Sequence, residues 1–246
     1  MSLSPNWGPR RHGRDPDLVV LHYTAMETAE AAVERLCDPA AEVSAHYLIA
    51  EDGTTIALVD EDKRAWHAGI GLWGDLSDIN SHSIGIELAN QGPQSPAPEF
   101  PPVQLAALVT LLSAILSRWN IPPERVIGHS DMAPFRKDDP GPYFDWKSLA
   151  GKGLSIWPSE TELTTGNEAE LWGRFIAAAR TFGYHAPIDL DTGFEDERMW
   201  AETLVSFRLR FRPHTAGEIT AHDVAIIENL AAHYPCALLD ADPTKA

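Results

Sequence analysis

Two histidines and a pair of aspartates in this chain have the types and surroundings from which a catalytic metal centre can be built. His129 follows Val126, Ile127 and Gly128, a short apolar run whose glycine lets the backbone turn close to it. Beyond it, a loop braced by Pro134, Pro140 and Pro142 carries Lys137, Asp138 and Asp139. Each proline ring fixes its own φ and restricts the residue before it, so the loop can hold a carboxylate in a set position relative to His129. His22 ends the run Leu18, Val19, Val20, Leu21, which reads as a buried strand. Ligands commonly bind outside the carboxyl ends of sheet strands. A histidine at each of two strand ends, with an aspartate on a stiff loop, supplies the three protein ligands that a catalytic zinc usually has. One strand-end histidine alone is more often a hydrogen-bonded core residue, so the reading rests on convergence.

The elements that must position these groups alternate in type. Strands are expected over 18–24 and 83–88, with a hairpin of 45–50 and 55–59 about Glu51, Asp52 and Gly53. Residues 27–36 read as a short helix, and 103–119 as an amphipathic one with Leu105, Leu108, Leu112, Ile115 and Trp119 on one face. Residues 4–17 read as an irregular arm, and 60–81 and 91–102 as loops. The class is α/β, a central mixed sheet flanked by helices. After residue 158 the texture changes. A polar linker over 159–170 leads into three helical patterns: Leu171 to Phe182, Trp200 to Phe211, and Val224 to Ala231 with Thr220 as N-cap. The expected organisation is a catalytic domain over 1–158 and a small three-helix domain over 171–246.

A formal charge of −17 argues against nucleic acid or anionic lipid as a general partner. Two cysteines, Cys37 and Cys236, do not make a disulfide framework and fit a reducing compartment. The first residues lack the apolar core of a secretory signal, and no run was expected to reach membrane-spanning length. A cytoplasmic monomer is therefore expected, or a periplasmic one if a leader has been removed.

Five stretches, taken in order, resemble the zinc-dependent N-acetylmuramoyl-L-alanine amidases of the AmpD/AmiD (amidase_2) type, relatives of phage T7 lysozyme and the peptidoglycan recognition proteins. They are VVLHYTA at 19–25, SAHYLIAEDG at 44–53, RAWHAG at 64–69, SIGIELAN at 83–90 and IGHSDMAPFRKDDPGP at 127–142. The resemblance implies one Zn2+ held by His22, His129 and Asp139, with Asp139 rather than Asp138 in register. It implies hydrolysis of the amide between N-acetylmuramic acid and L-alanine in peptidoglycan or soluble muropeptides. It also suggests that the C-terminal helices resemble a peptidoglycan-binding domain. Some relatives that bind peptidoglycan without cleaving it lack a metal ligand, so a recognition module is the alternative.

Glu87, apolar on both sides, is the candidate general base, because a carboxylate is rarely placed there without a partner or a purpose. A salt-bridged strand residue is the other reading. Where some relatives carry a catalytic tyrosine, this chain has Ala45, which leaves the glutamate route. The resemblance makes Lys137 the group that stabilises the developing oxyanion. Trp66, His67, His46 and Asn90 fall in blocks that line the substrate groove. Arg136 reads as a solvated charge, and Arg208, Arg210 and Arg212 as a solvated helix face.

Overall fold

The computed structural model describes residues 3–93, 98–159, 162–163 and 165–236. Its strands are β1 (Trp7–Pro9), β2 (Leu18–Tyr23), β3 (Tyr47–Ile49), β4 (Thr55–Ala57), β5 (Lys63–Ala65), β6 (Ser83–Leu88) and β7 (Val126–Gly128). Its α-helices are α1 (Ala29–Cys37), α2 (Ile79–His82), α3 (Pro102–Trp119), α4 (His129–Met132), α5 (Trp146–Gly151), α6 (Glu168–Phe182), α7 (Trp200–Phe211) and α8 (Ala221–His233). Five strands form one mixed sheet in the order β4-β3-β6-β2-β7. β3, β6, β2 and β7 run parallel, and β4 closes the edge antiparallel to β3 through the expected Asp-Gly turn.

The period-two alternation of β2 sorts the core into two layers. Val19 and Leu21 face α3 and α5, packing with Ile84, Ile86, Leu112, Ile115 and Trp146. Leu18 and Val20 face the other way, into a layer built from α6, α7 and α8. Helix α3 starts on Pro102, where a missing N–H is harmless, and stops at Asn120 in the left-handed region (φ 53). By length and composition α3 is apolar enough to cross a membrane, with mean hydropathy 1.4, contrary to the expectation of no such run. In the fold one face of it packs against the sheet. Leu108, Leu112 and Ile115 are fully buried, and the Gln104 amide donates to the carbonyls of Ile49 and Ala89 at 2.9 Å each.

Two expectations are corrected. The N-terminal arm is not irregular: β1 pairs antiparallel with β5, which lies inside the stretch expected to be a loop, as does α2. Arg10 pins the arm. Its buried guanidinium donates to the carbonyls of Glu61, Asn80, Ser81 and Ser83 at 2.8–3.3 Å. The residues of β1 and β5, Trp-Gly-Pro and Lys-Arg-Ala, form no apolar run, so sequence alone missed these strands.

The arginines of α7 are the second correction. Arg208 and Arg210 are buried, Arg208 paired with Asp223 at 2.7 Å and Arg210 with Asp131 at 2.8 Å. Arg212 reaches Asp223 as well, at 2.7 Å. The three helices occupy the residues the patterns indicated, with Asp223 accepting from the N–H of the N-cap Thr220. They share one apolar cluster with the sheet, in which Leu18, Val20, Ile127 and Met132 pack with Phe175, Phe182, Phe207 and Phe211. The boundary at 158 thus divides the chain without dividing the core. Residues 160, 161 and 164 of the expected linker, and 94–97 of the expected loop, lie outside the described residues.

Candidate metal centre and active site

The alternation that buries Leu18 and Val20 carries His22 to the same face of the sheet, at the C-terminal end of β2. Parallel register sets Glu87 of β6 beside it. On the other side Leu21 pairs with Gly128, so His129, the first residue of α4, emerges next to His22. The proline-rich loop returns Asp139 to the same point. His22 Nδ1 lies 3.0 Å from His129 Nδ1 and 2.8 Å from Asp139 Oδ2, and His129 Nδ1 lies 3.1 Å from that oxygen. All three residues are buried, and together they form a group that could hold a metal ion.

The surrounding hydrogen bonds decide which ring nitrogens carry protons. Ser83 Oγ donates to the carbonyl of Ile79 at 2.6 Å, so it must accept from His67 Nε2, 3.1 Å away. His67 Nδ1 is then an acceptor, and His22 Nε2 donates to it across 3.0 Å. His129 Nε2 donates to the carbonyl of Ala68 at 2.9 Å. Both imidazoles thus use Nε2 as a donor, which turns Nδ1 of each towards the centre. Two imidazole nitrogens and one carboxylate oxygen face one another within 3.1 Å. A cation satisfies such a triangle. A tetrahedral ion with the usual nitrogen and oxygen bond lengths needs donor atoms ~3.3 Å apart, so the residues fit with a shift of a few tenths of an ångström.

The electrostatics agree. Burial, then the neighbouring charge of His129, pushes the His22 imidazole down to about 4, so it is neutral and ready to ligate. Burial works to raise Asp139, but the two imidazoles against it prevail and hold its carboxyl below the ordinary range. Glu87 is shifted the other way, well above a normal glutamate, by burial first and then by the charge of Asp139. Its Oε2 is buried with no hydrogen-bond partner, and no ion pair compensates it among the described residues.

These groups open onto a groove of about 410 Å³ that Trp66, Glu87 and Lys137 also line. Lys137 is exposed on its wall, and its charge lowers both His22 and Glu87. The adjacent Asp138 is exposed at the groove and accepts from the Tyr23 hydroxyl. Arg136 is not a solvated charge. It donates to the carbonyls of Ala68 and Ile70, holding against the centre the same segment that receives the His129 proton.

The residues expected to bind substrate fare differently. Trp66 is half-buried on the groove. His67 touches the groove, but both its nitrogens are engaged in the relay from Ser83 to His22, which makes it a support of the centre. His46 does not line the groove. Its Nδ1 accepts from Gly85 N–H at 2.9 Å, its Nε2 lies 3.1 Å from the carbonyl of Lys63, and burial followed by the charge of Arg10 holds it at about 3. Asn90 is likewise engaged internally, accepting from Gly92 N–H and donating to the carbonyl of Pro98 at 2.9 and 3.1 Å. Ser83 and Gly85 carry no reading of their own in the sequence, and Arg136 only that of a solvated charge.

Gly85 gives room for the relay. A Cβ there would sit 2.4–2.6 Å from three atoms of the buried His67 ring. Gly85→Ala is expected to displace that ring, with the loss of about tenfold in metal affinity or more that such supporting partners usually carry. Competition against a chromophoric chelator measures it. Unchanged affinity in a folded variant would contradict the relay.

The comparisons with known proteins bear on this site. The description of the amidase_2 family, N-acetylmuramoyl-L-alanine amidase, matches residues 12–142. Escherichia coli AmiD, an N-acetylmuramoyl-L-alanine amidase, is 35% identical over 243 residues, covering 88% of this chain and 83% of that protein. The 1,6-anhydro-N-acetylmuramyl-L-alanine amidase AmpD of Citrobacter freundii is 34% identical over 178 residues, 65% of this chain and 92% of AmpD. Among solved structures, E. coli AmiD in complex with anhydro-N-acetylmuramic acid-L-Ala-D-γ-Glu-L-Lys superposes with a TM-score of 0.77 at 33% identity, over 92% of each chain. AmpDh3 of Pseudomonas aeruginosa with an anhydromuramic pentapeptide gives 0.75 at 30% identity, over 96% of this chain and 98% of AmpDh3. With the likeness running through the sheet, the ligand loops and the C-terminal helices alike, the chain belongs to the amidase_2 family of N-acetylmuramoyl-L-alanine amidases.

Proposed function

We propose that this chain is a zinc amidase that cleaves the bond between the lactyl group of N-acetylmuramic acid and L-alanine, with His22, His129 and Asp139 as its ligands. The observation that carries the reading is the convergence of two imidazole nitrogens and a carboxylate oxygen beside a carboxyl with one buried oxygen that has no partner. A hard-to-hydrolyse amide needs an activated water, a polarised carbonyl and a proton for the leaving nitrogen. Bound zinc supplies a Lewis acid and a lowered water pKa.

The remaining work falls to the chain's own groups. Glu87, set beside His22 by strand register, takes the proton of the attacking water and returns it to the departing amine. Lys137, on the groove wall, places a positive charge where the carbonyl oxygen gains a negative one, an effect of roughly 3 kcal/mol for one well-placed donor. Trp66 offers a flat apolar face to the sugar ring. Because the AmiD and AmpDh3 complexes hold anhydromuramyl peptides, an anhydro-muropeptide is the substrate to assay first.

The test is metal removal and replacement. Chelated protein is expected to lose hydrolysis of an anhydromuramyl tetrapeptide, and added zinc to restore it, with the freed peptide beginning at L-alanine. Hydrolysis that persists without metal, or equal cleavage of the stem peptide lacking the sugar, would overturn the reading.

A further inference from the structure

Asp131, two residues beyond the ligand His129, is a carboxylate with no access to solvent. Both its oxygens are engaged. Oδ2 accepts from Gly128 N–H at 2.8 Å, closing α4 on itself, and from Arg210 Nη1 at 2.8 Å, while Oδ1 accepts from the Tyr184 hydroxyl. Gly128 and Asp131 thus bracket His129, and two of the three donors that fix Asp131 come from the C-terminal helical layer.

Arg210 is equally constrained. Its second terminal nitrogen donates to the carbonyl of Val126 at 2.9 Å and to Ser155 Oγ at 3.3 Å, and its guanidinium lies over the Trp146 ring, 4.4 Å from the centroid. One side chain of α7 therefore grips both the strand that precedes His129 and the turn that carries it. A four-residue helix has almost no stability of its own, because a single turn fixes many dihedrals for one hydrogen bond. Its orientation must be imposed by its surroundings. In this chain Arg210 and Tyr184 impose it.

We infer that Arg210 and Tyr184 are positioning residues for the metal centre, acting through Asp131 on the orientation of His129, so that the C-terminal helical layer is part of the catalytic apparatus. The inference rests on the metal-centre reading above. It gives the helices after residue 158 a role that does not require them to bind the cell wall.

Tyr184→Phe removes one hydrogen bond at nearly constant shape, and Arg210→Lys keeps the charge while losing the fork that spans Asp131 and Val126. Both are to be compared with Arg208→Lys, which disturbs the Asp223 pair within the C-terminal layer and whose hydrogen bonds among the described residues go to Asp223, Gly217 and Glu218 rather than to α4. The readouts are zinc affinity by chelator competition and the d–d absorption of the cobalt-substituted protein, taken well below the unfolding temperature of each variant. The expected result is a loss of about tenfold in zinc affinity and a shifted cobalt band for Tyr184→Phe and Arg210→Lys, with neither in Arg208→Lys. Wild-type affinity and spectrum in folded Tyr184→Phe would overturn the inference, as would an equal loss in Arg208→Lys. Wild-type protein that takes up no metal at all would overturn the metal centre itself and the inference with it. A variant of Arg210 too unstable to purify leaves the decision to Tyr184→Phe.

Discussion

Glu87→Gln is expected to lower kcat by about 10²–10⁴-fold while leaving zinc affinity and KM near their wild-type values. The amide keeps the size and polarity of the carboxyl but cannot take a proton from water. The structure adds a second expectation that an ordinary structural glutamate would not meet. Glu87 has a buried oxygen without a partner, and burial together with Asp139 holds its carboxyl well above the usual range. The folded state therefore prefers Glu87 protonated more strongly than the unfolded state does. As pH rises from the unfolded value, about 4.3, towards the raised folded value, the native protein must give up that proton at a cost, and stability falls across that window. Gln at this position has no such titration. In metal-free protein the variant should unfold at a higher temperature than wild type at neutral pH, with the gap shrinking as the pH is lowered towards 4. A buried group without a partner costs about 1–3 kcal/mol, or a few degrees in a chain of this size. Scanning calorimetry of the chelated proteins at several pH values, beside steady-state kinetics, checks both halves. A variant that is inactive and also less stable than wild type would indicate a structural carboxyl rather than a base held in readiness.

That stored cost marks the boundary of what could be read without coordinates. The sheet was legible because β2 and β6 are continuous apolar runs, and helices α3, α6, α7 and α8 because their apolar residues recur at helical spacing. The ligand set was legible because His22 and His129 each end such a run and prolines stiffen the path to Asp139. What supports the ligands was not legible. His67 sits in a Trp-His pair that reads equally well as a groove wall, and only the positions of Ser83 and Gly85 turn it into a relay. Arg210 stands in an alternating Arg-apolar stretch that, taken as a string, describes a wet helix face. It is buried because Asp131, 79 residues earlier, needs a counter-charge, and pairing at that separation leaves no local pattern. The same holds for the arm. Arg10 is held by carbonyls of residues 61–83, and backbone acceptors have no sequence signature at all.

The choice between neighbouring carboxylates yields the other large effect. Asp139→Ala should reduce zinc affinity and amidase activity by more than about 10³-fold, because losing a direct ligand exceeds the 10–100-fold typical of supporting residues. Asp138→Ala should change neither by more than a few fold. The two side chains differ by one position and by everything else that matters. Asp139 is 5% exposed, with Oδ2 between two imidazole nitrogens at 2.8 and 3.1 Å. Asp138 is exposed and turned to the Tyr23 hydroxyl. Thermal unfolding gives a measurement independent of turnover. Zinc that binds only the folded state raises the unfolding temperature with concentration, by RT ln(1 + [L]/Kd) in free energy. That rise should survive in Asp138→Ala and vanish in Asp139→Ala, where the two imidazoles alone remain. If the dependence on zinc disappears with Asp138 instead, the carboxylate has been assigned to the wrong residue, and the triangle of donors around His22 would have to be rebuilt with Asp138.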